Sequence, residues 1–178
     1  YVLHVIATAL FDSHAFKNVV VTGVIMGTDG RKMSKNYGNY PDPKEMLTKY
    51  GGDALRLYLL GCPVMRGEDI RISEEQYRLG VRGMMLILWN VYNFFVTYAN
   101  VDKIQSASWR TKIQNENVLD KWILSLLQKL IAEVTEAFEK YDTVGAVEAL
   151  HAFISDLSTW YIRRSRDRVG PTVKDSPD

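Results

Sequence analysis

Phe16-Lys-Asn-Val-Val-Val-Thr-Gly-Val-Ile-Met-Gly-Thr-Asp-Gly-Arg-Lys-Met-Ser-Lys35 is the stretch on which the fold turns. Residues 16–26 are short and β-branched, which favours a strand over a helix. Gly27-Thr-Asp-Gly30 is a turn signal, because Asp-Gly readily supplies the positive φ a reversal requires. A polar loop runs from there to Asn39 and carries Lys32, Met33, Ser34 and Lys35. Upstream, residues 1–10 are apolar without alternation, as a helix end or a buried strand would be. The chain opens at Tyr1 inside that segment, without a methionine, and reads as a piece of a larger polypeptide.

Downstream of the loop the helix signals become legible. Asp42-Pro43-Lys44-Glu45 combines a capping aspartate, proline at the first helical position and a glutamate placed to reach back. Gly51-Gly52 should stop that helix, and Asp53 is placed to cap a second one over residues 54–60, ended by Gly61 and Pro63. Ser73-Glu-Glu-Gln76 is a further capping box. Tyr77, Val81, Met84, Leu88, Val91, Phe95 and Tyr98 then draw one apolar stripe at spacings of three and four. A polar break over residues 100–117 precedes a second stripe through Leu119, Trp122, Leu126, Leu130, Val134, Ala137 and Tyr141. Thr143 is placed to cap a last helix bearing Val147, Leu150, Ile154, Leu157 and Tyr161. Long amphipathic helices in succession bury their stripes by packing together as an antiparallel bundle. By their spacing, Trp89, Phe94, Phe95, Trp122 and Phe138 are expected in its core. The tail, residues 170–178, is polar and expected to fray. The fold class is therefore mainly α: a remnant of an α/β domain over residues 1–72, then an all-α bundle over residues 73–178.

Composition narrows the function. The 178 residues are 47% hydrophobic and 24% charged, enough apolar mass for a core. Twenty-two basic against 21 acidic residues give a formal charge of +1, so contact with nucleic acid must come from local clustering. The single cysteine, Cys62, excludes an internal disulfide and a cysteine-rich zinc site, and suits a reducing, cytoplasmic compartment. No uninterrupted apolar run approaches the roughly 20 residues of a membrane helix, and no membrane partner is expected.

The sharpest chemical signal is Lys32-Met33-Ser34-Lys35. Two lysines around a small hydroxyl residue can surround polyphosphate oxygens, the ammonium groups acting as mobile point charges while Ser34 donates one further hydrogen bond. Two lysines alone are also what a solvated surface loop carries. A prespecified tetrapeptide, however, turns up by chance with a probability on the order of one in a thousand in a chain this long.

Gly30-Arg-Lys-Met-Ser-Lys35 resembles the second signature of the class I aminoacyl-tRNA synthetases. Asn18–Met26 resembles the strand before that loop, and Asn39-Tyr-Pro-Asp-Pro43 with Lys49–Tyr58 resembles the helical segment after it. Within the family, Asn39–Pro43 and Pro63–Arg71 look most like the isoleucine-specific members; valyl, leucyl and methionyl enzymes are the nearest alternatives. The helical remainder, through Trp160-Tyr-Ile-Arg-Arg-Ser-Arg-Asp-Arg168, is similar to the family's anticodon-binding bundle, and the α/β part to the end of its Rossmann-like catalytic domain. Two departures stand out. The fifth signature residue is Asn36 instead of the usual serine. The first signature, histidine-x-glycine-histidine, is not formed by His4, His14 or His151, which read as packed or surface histidines.

The resemblance implies attack of an amino-acid carboxylate on the α-phosphorus of ATP, followed by transfer of the acyl group to a tRNA 3′ end. Placement and electrostatic stabilisation dominate such chemistry. Lys32 and Lys35 would stabilise the departing pyrophosphate, Ser34 would position the triphosphate, and Met33 would anchor the loop on apolar surface. Gly27 and Gly30 would serve as hinges. Magnesium would accompany ATP, with no metal site in the chain itself. The partners implied are ATP, tRNA(Ile) and isoleucine, whose pocket lies outside the chain, in a monomer; the chain alone would be inactive.

The second feature is the basic end of the last helix, with Arg163, Arg164, Arg166 and Arg168 next to Trp160 and Tyr161. Arginine forks suit phosphates and aromatic faces suit unstacked bases. The same pattern fits aromatics that complete the core and arginines that complement the helix dipole. The resemblance adds tRNA contact by the bundle. From a different class, the alternative is a non-catalytic RNA-binding helical module, in which Lys32 and Lys35 touch RNA phosphates. Cys62, before Pro63 and with no histidine nearby, reads as packing.

Overall fold

The computed structural model describes residues 1–101 and 117–169, apart from the side chain of Val81. The fold is mainly helical. The first apolar segment is a helix, α1 (Val2–Phe11), closed by Asp12 in the left-handed conformation. It lies on the surface, with Leu3, Leu10 and Phe11 all exposed. The expected strand over residues 16–26 is realised only at β1 (Ile25–Met26). β-Branched side chains favour a strand only where a neighbouring chain accepts the backbone hydrogen bonds, and Val19, Val20 and Val21 remain exposed. The partner of β1 is β2 (Ile70–Arg71), paired in parallel with Ile25 opposite Ile70 and Met26 opposite Arg71. Asp69 fixes that register by accepting a 2.7 Å hydrogen bond from the Val24 backbone N–H.

A parallel pair needs a crossover, here supplied by α2 (Pro43–Tyr50) and α3 (Gly52–Leu60). Asp42 caps α2 by accepting from Lys44 N–H at 2.8 Å, with Pro43 at the first position. Gly51 ends α2 at φ 85° and is itself the N-cap of α3; Asp53 lies inside the first turn and pairs with Arg56 instead of capping. α2, α3 and the next helix, α4 (Glu74–Val81), close over a small core. Tyr77 is fully buried there, its ring meeting Tyr50 and Tyr58 edge-on beside Met46 and Ala54. Ser73 caps α4 through Gln76 N–H at 3.2 Å, and Glu74 accepts from both Lys49 and the Tyr50 hydroxyl.

α4 runs through one wide π turn at Arg82–Leu86 into α5 (Ile87–Val101). Together, Glu74–Val101 is long and apolar enough to cross a membrane by length and composition; here it packs against α7 and the turn that follows α7. Residues 102–116, most of the expected polar break, and the tail at 170–178 lie outside the described residues. Asn117 caps α6 (Val118–Glu139) by accepting from Leu119 N–H at 2.9 Å. α6 and α7 (Thr143–Asp156) form a helical hairpin around Lys140–Asp142. The cap of α7 is Asp142, accepting from Gly145 N–H at 3.0 Å; the Thr143 hydroxyl donates instead to the Leu60 carbonyl at 2.9 Å. That bond, the Arg66–Asp142 ion pair and the contact of Gly61 with Val147 lock the bundle onto the end of α3. α7 continues through a π turn at Leu157–Ile162 and ends at Arg168.

The stripes are only half buried. Of the stripe residues Tyr77, Met84, Leu130 and Ile154 are buried, with Ile123, Val144 and Ala146 beside them, whereas Leu88 and Tyr141 are exposed, as are Trp89, Phe95 and Phe138, expected in the core, at 57%, 45% and 53%. The helix pairs cover one narrow seam, and aromatics off that seam face outward.

Candidate functional site

The loop that carries the two lysines is built by a turn and fastened by one amide. The Gly30 N–H donates to the Gly27 carbonyl at 3.0 Å and Gly30 sits at φ 76°, so the expected Asp-Gly reversal is present. The returning chain bonds back onto β1: Gly27 N–H donates to the Arg31 carbonyl at 2.8 Å, and Lys32 bridges Met26 in the antiparallel sense. Asn39 then holds the loop from inside. Its Nδ2 donates to Asp29 Oδ1 at 2.9 Å and reaches the Arg31 and Lys32 carbonyls at 3.4 Å, while its Oδ1 accepts from Ser34 N–H at 3.1 Å. Asp29 also accepts from Arg31 N–H. The Arg31 backbone N–H, and after it the Asn39 amide, hold the Asp29 carboxyl below its ordinary range.

Each expected loop residue can be placed. Met33 is half-buried and Ser34 turns its hydroxyl to the Asn36 N–H at 3.3 Å, so Asn36 takes part through its backbone. Lys32 and Lys35 are exposed and pair with no carboxylate among the described residues. Gly27 is buried, and a Cβ there would stand 2.2 Å from the Asn39 carbonyl oxygen. Close approach is therefore what requires glycine at 27, and positive φ what requires it at 30. Two ammonium groups without a carboxylate partner among the described residues thus stand on a loop held by Asn39, which gives that edge of the molecule a local positive charge.

A second cluster sits at the end of the last helix. The Arg164 guanidinium lies 4.6 Å from the centre of the Trp160 ring, and these two with Thr159 and Arg163 line a recess of about 540 Å³. Trp160 is 51% exposed. Arg166 is exposed. Arg168 and Tyr161 leave this group and turn inward. Arg168 forks onto Asp120 at 2.7 and 2.6 Å, and the Tyr161 hydroxyl donates to Asp120 Oδ1 at 2.9 Å. Asp120 is 4% exposed. Burial first, then the bond to Asp120, push the Tyr161 phenol up to about 12. Arg168, expected at an RNA surface, thus spends its planar fork within the protein, because a buried carboxylate needs a charge-matched partner.

Asn39, Asp29 and Asp120 were not singled out by sequence reasoning as site residues. An asparagine nine residues after the Gly-Thr-Asp-Gly turn is the one local signal for the first two; Asp120 had none.

A third feature is a largely apolar cavity of about 680 Å³ between α3, α4 and α7, lined by Leu57, Tyr58, Met84, Val147 and His151, among others. Cys62 borders it, buried, with its thiol raised by that burial. Among the described residues no three histidine, cysteine or acidic side chains come together as a metal site.

Residues 1–73 match the family described as tRNA synthetases class I (I, L, M and V), and residues 120–175 match the anticodon-binding domain of tRNA ligase. The isoleucine–tRNA ligase of Treponema denticola is 41% identical over 98% of this chain, and that of Protochlamydia amoebophila 43% identical over 100%. The chain spans 17% of the length of each. Among solved structures, the ternary complex of Agrobacterium radiobacter K84 agnB2 LeuRS with tRNA and LeuAMS superposes with a TM-score of 0.68 at 25% identity, covering 97% of this chain and 21% of that one.

Proposed function

Since the chain belongs to the class I tRNA synthetases of the isoleucine, leucine, methionine and valine group, we propose that it serves an ATP-dependent isoleucine–tRNA ligase as the part that joins the signature loop to the tRNA-binding bundle. Identities of 39–43% to isoleucine–tRNA ligases, against 25% to the leucine-specific structure, support isoleucine as the amino acid. Residues 1–72 supply the end of the catalytic domain and residues 73–178 the bundle. Lys32 and Lys35 carry the chemistry. Exposed and unpaired on a loop that Asn39 holds in shape, they meet the polyphosphate of ATP and neutralise charge on the pyrophosphate as it leaves. Because the loop is fastened beforehand, little reorganisation is needed when that charge develops.

Ser34 positions the triphosphate and Met33 keeps the loop on its apolar seat. Gly27 and Gly30 bound the turn that opens the loop, where close approach and positive φ call for glycine. Magnesium would accompany ATP as part of the substrate and would add positive charge there; among the described residues no three histidine, cysteine or acidic side chains come together to hold it. Trp160, with Arg164 over its ring and Arg163 lining the same recess, offers tRNA an aromatic surface beside guanidinium groups, with Arg166 nearby in sequence. The protein works as a cytoplasmic monomer, off membranes, and isoleucine binds in a part of the ligase beyond residues 1–178.

The single observation that carries this function is the pair of free ammonium groups on the stapled loop. The test is isoleucine-dependent exchange of pyrophosphate into ATP by the full-length protein. Exchange with isoleucine, and weaker or none with valine, leucine and methionine, is the expected result. Tight, salt-sensitive binding of unrelated RNAs with no exchange for any amino acid would leave only an RNA-binding module.

A further inference from the structure

We propose that Arg71 is a third cation of the polyphosphate site, facing the signature loop from the neighbouring strand; this rests on the nucleotide-binding role proposed above for Lys32 and Lys35. Met26 pairs in register with Arg71 on one side and bridges Lys32 on the other. Residues opposite one another in a ladder point to the same face. Lys32, Met26 and Arg71 therefore form one row, and two strand spacings of about 4.8 Å put Lys32 and Arg71 about 10 Å apart with the neutral Met26 between them.

The Arg71 side chain is directed at the loop. Its Nη2, Cζ and Nε lie 3.1, 3.3 and 3.5 Å from where a Cβ on Gly30 would stand. The guanidinium thus lies flat against the turn that opens the signature, in space that only glycine leaves free. Arg71 is exposed, and no carboxylate pairs with it among the described residues. An arginine resting on a backbone turn, with its charge unspent and a lysine across the same row, is arranged to take a phosphate between the two. The planar fork would grip two oxygens at once, fixing orientation where the lysines contribute mobile charge. Asp69, which ties the Val24 N–H at 2.7 Å, keeps Arg71 at this height.

The experiment uses the full-length protein. Exchange by the wild type is measured first, and its absence would overturn both this role and the function it rests on. With exchange present, Arg71→Met keeps an unbranched stem against Gly30 and removes the charge. The variant is expected to raise the KM for ATP and weaken calorimetric binding of pyrophosphate, each about tenfold, while the KM for isoleucine stays within twofold. Arg71→Lys, which keeps the charge without the fork, should fall between the two in both measurements. ATP and pyrophosphate affinities in Arg71→Met equal to those of the wild type would overturn the role of Arg71 and leave that of Lys32 and Lys35 standing. If Arg71→Met melts well below the wild type, Arg71→Lys decides: affinities that fall while its melting temperature holds support the role, and wild-type affinities overturn it.

Discussion

Replacing Asn39 with alanine should disable the loop without unfolding the protein. The side chain makes two well-formed hydrogen bonds, 2.9 Å to Asp29 and 3.1 Å from Ser34 N–H, and two long ones at 3.4 Å. A net hydrogen bond contributes about 1 kcal/mol, and the long pair adds little. Partial exposure of Asn39 lets water replace some of this. The loss in loop order then comes to about 1–2 kcal/mol, or a 5- to 30-fold fall in the loop population poised for ATP. The assay is single-turnover formation of adenylate by the full-length protein, alongside its melting temperature. A 5- to 30-fold slower rate with the KM for the amino acid unchanged is expected, and a melting shift of no more than a few degrees, since loop openings lie at the low end of the stability range. Asn39→Asp should be worse than Asn39→Ala, because it sets a second carboxylate against Asp29. A rate for Asn39→Ala within twofold of wild type, or Asn39→Asp outperforming it, would refute the staple.

Other outcomes follow from the buried triad. Asp120→Ala leaves the Arg168 fork and the Tyr161 hydroxyl without their shared acceptor; with Arg168 37% exposed, the usual cost of breaking a buried pair falls to about 2–3 kcal/mol, read by denaturant unfolding. Tyr161 makes stability fall at high pH. Its folded pKa is raised from the ordinary 10.0 to about 12, so its contribution is fully present below pH 10 and is lost between pH 10 and 12. Tyr161→Phe should flatten that part of the unfolding curve, and an unaltered slope there would count against the bond to Asp120.

Much of the fold was legible where the signal is local. Asp42 with Pro43, Ser73 with Gln76 and the Gly27–Gly30 reversal act within four residues, and each appears where the sequence places it. Adjacent candidates were harder. Asp142 and Thr143 can both cap, and only the distant Leu60 carbonyl, which takes the Thr143 hydroxyl, decides between them. The pairing of Ile25 with Ile70 spans 45 residues, and the Asp120–Arg168 fork 48. No periodicity carries such partners, so residues 16–22 read as strand although no ladder forms along them, and the carboxylate that takes the Arg168 fork cannot be seen. The loop lysines were found because their chemistry needs only proximity in sequence. Asn39 was missed as their fastener because a single asparagine in a polar loop looks like many others.

The most direct measurement is isoleucine-dependent ATP–pyrophosphate exchange by the full-length Lys35→Ala variant, beside equilibrium binding of isoleucine. Loss of exchange by about a hundredfold or more, with isoleucine affinity within twofold of wild type, is the predicted result. Wild-type exchange in that variant would contradict the assignment of the loop to the departing pyrophosphate.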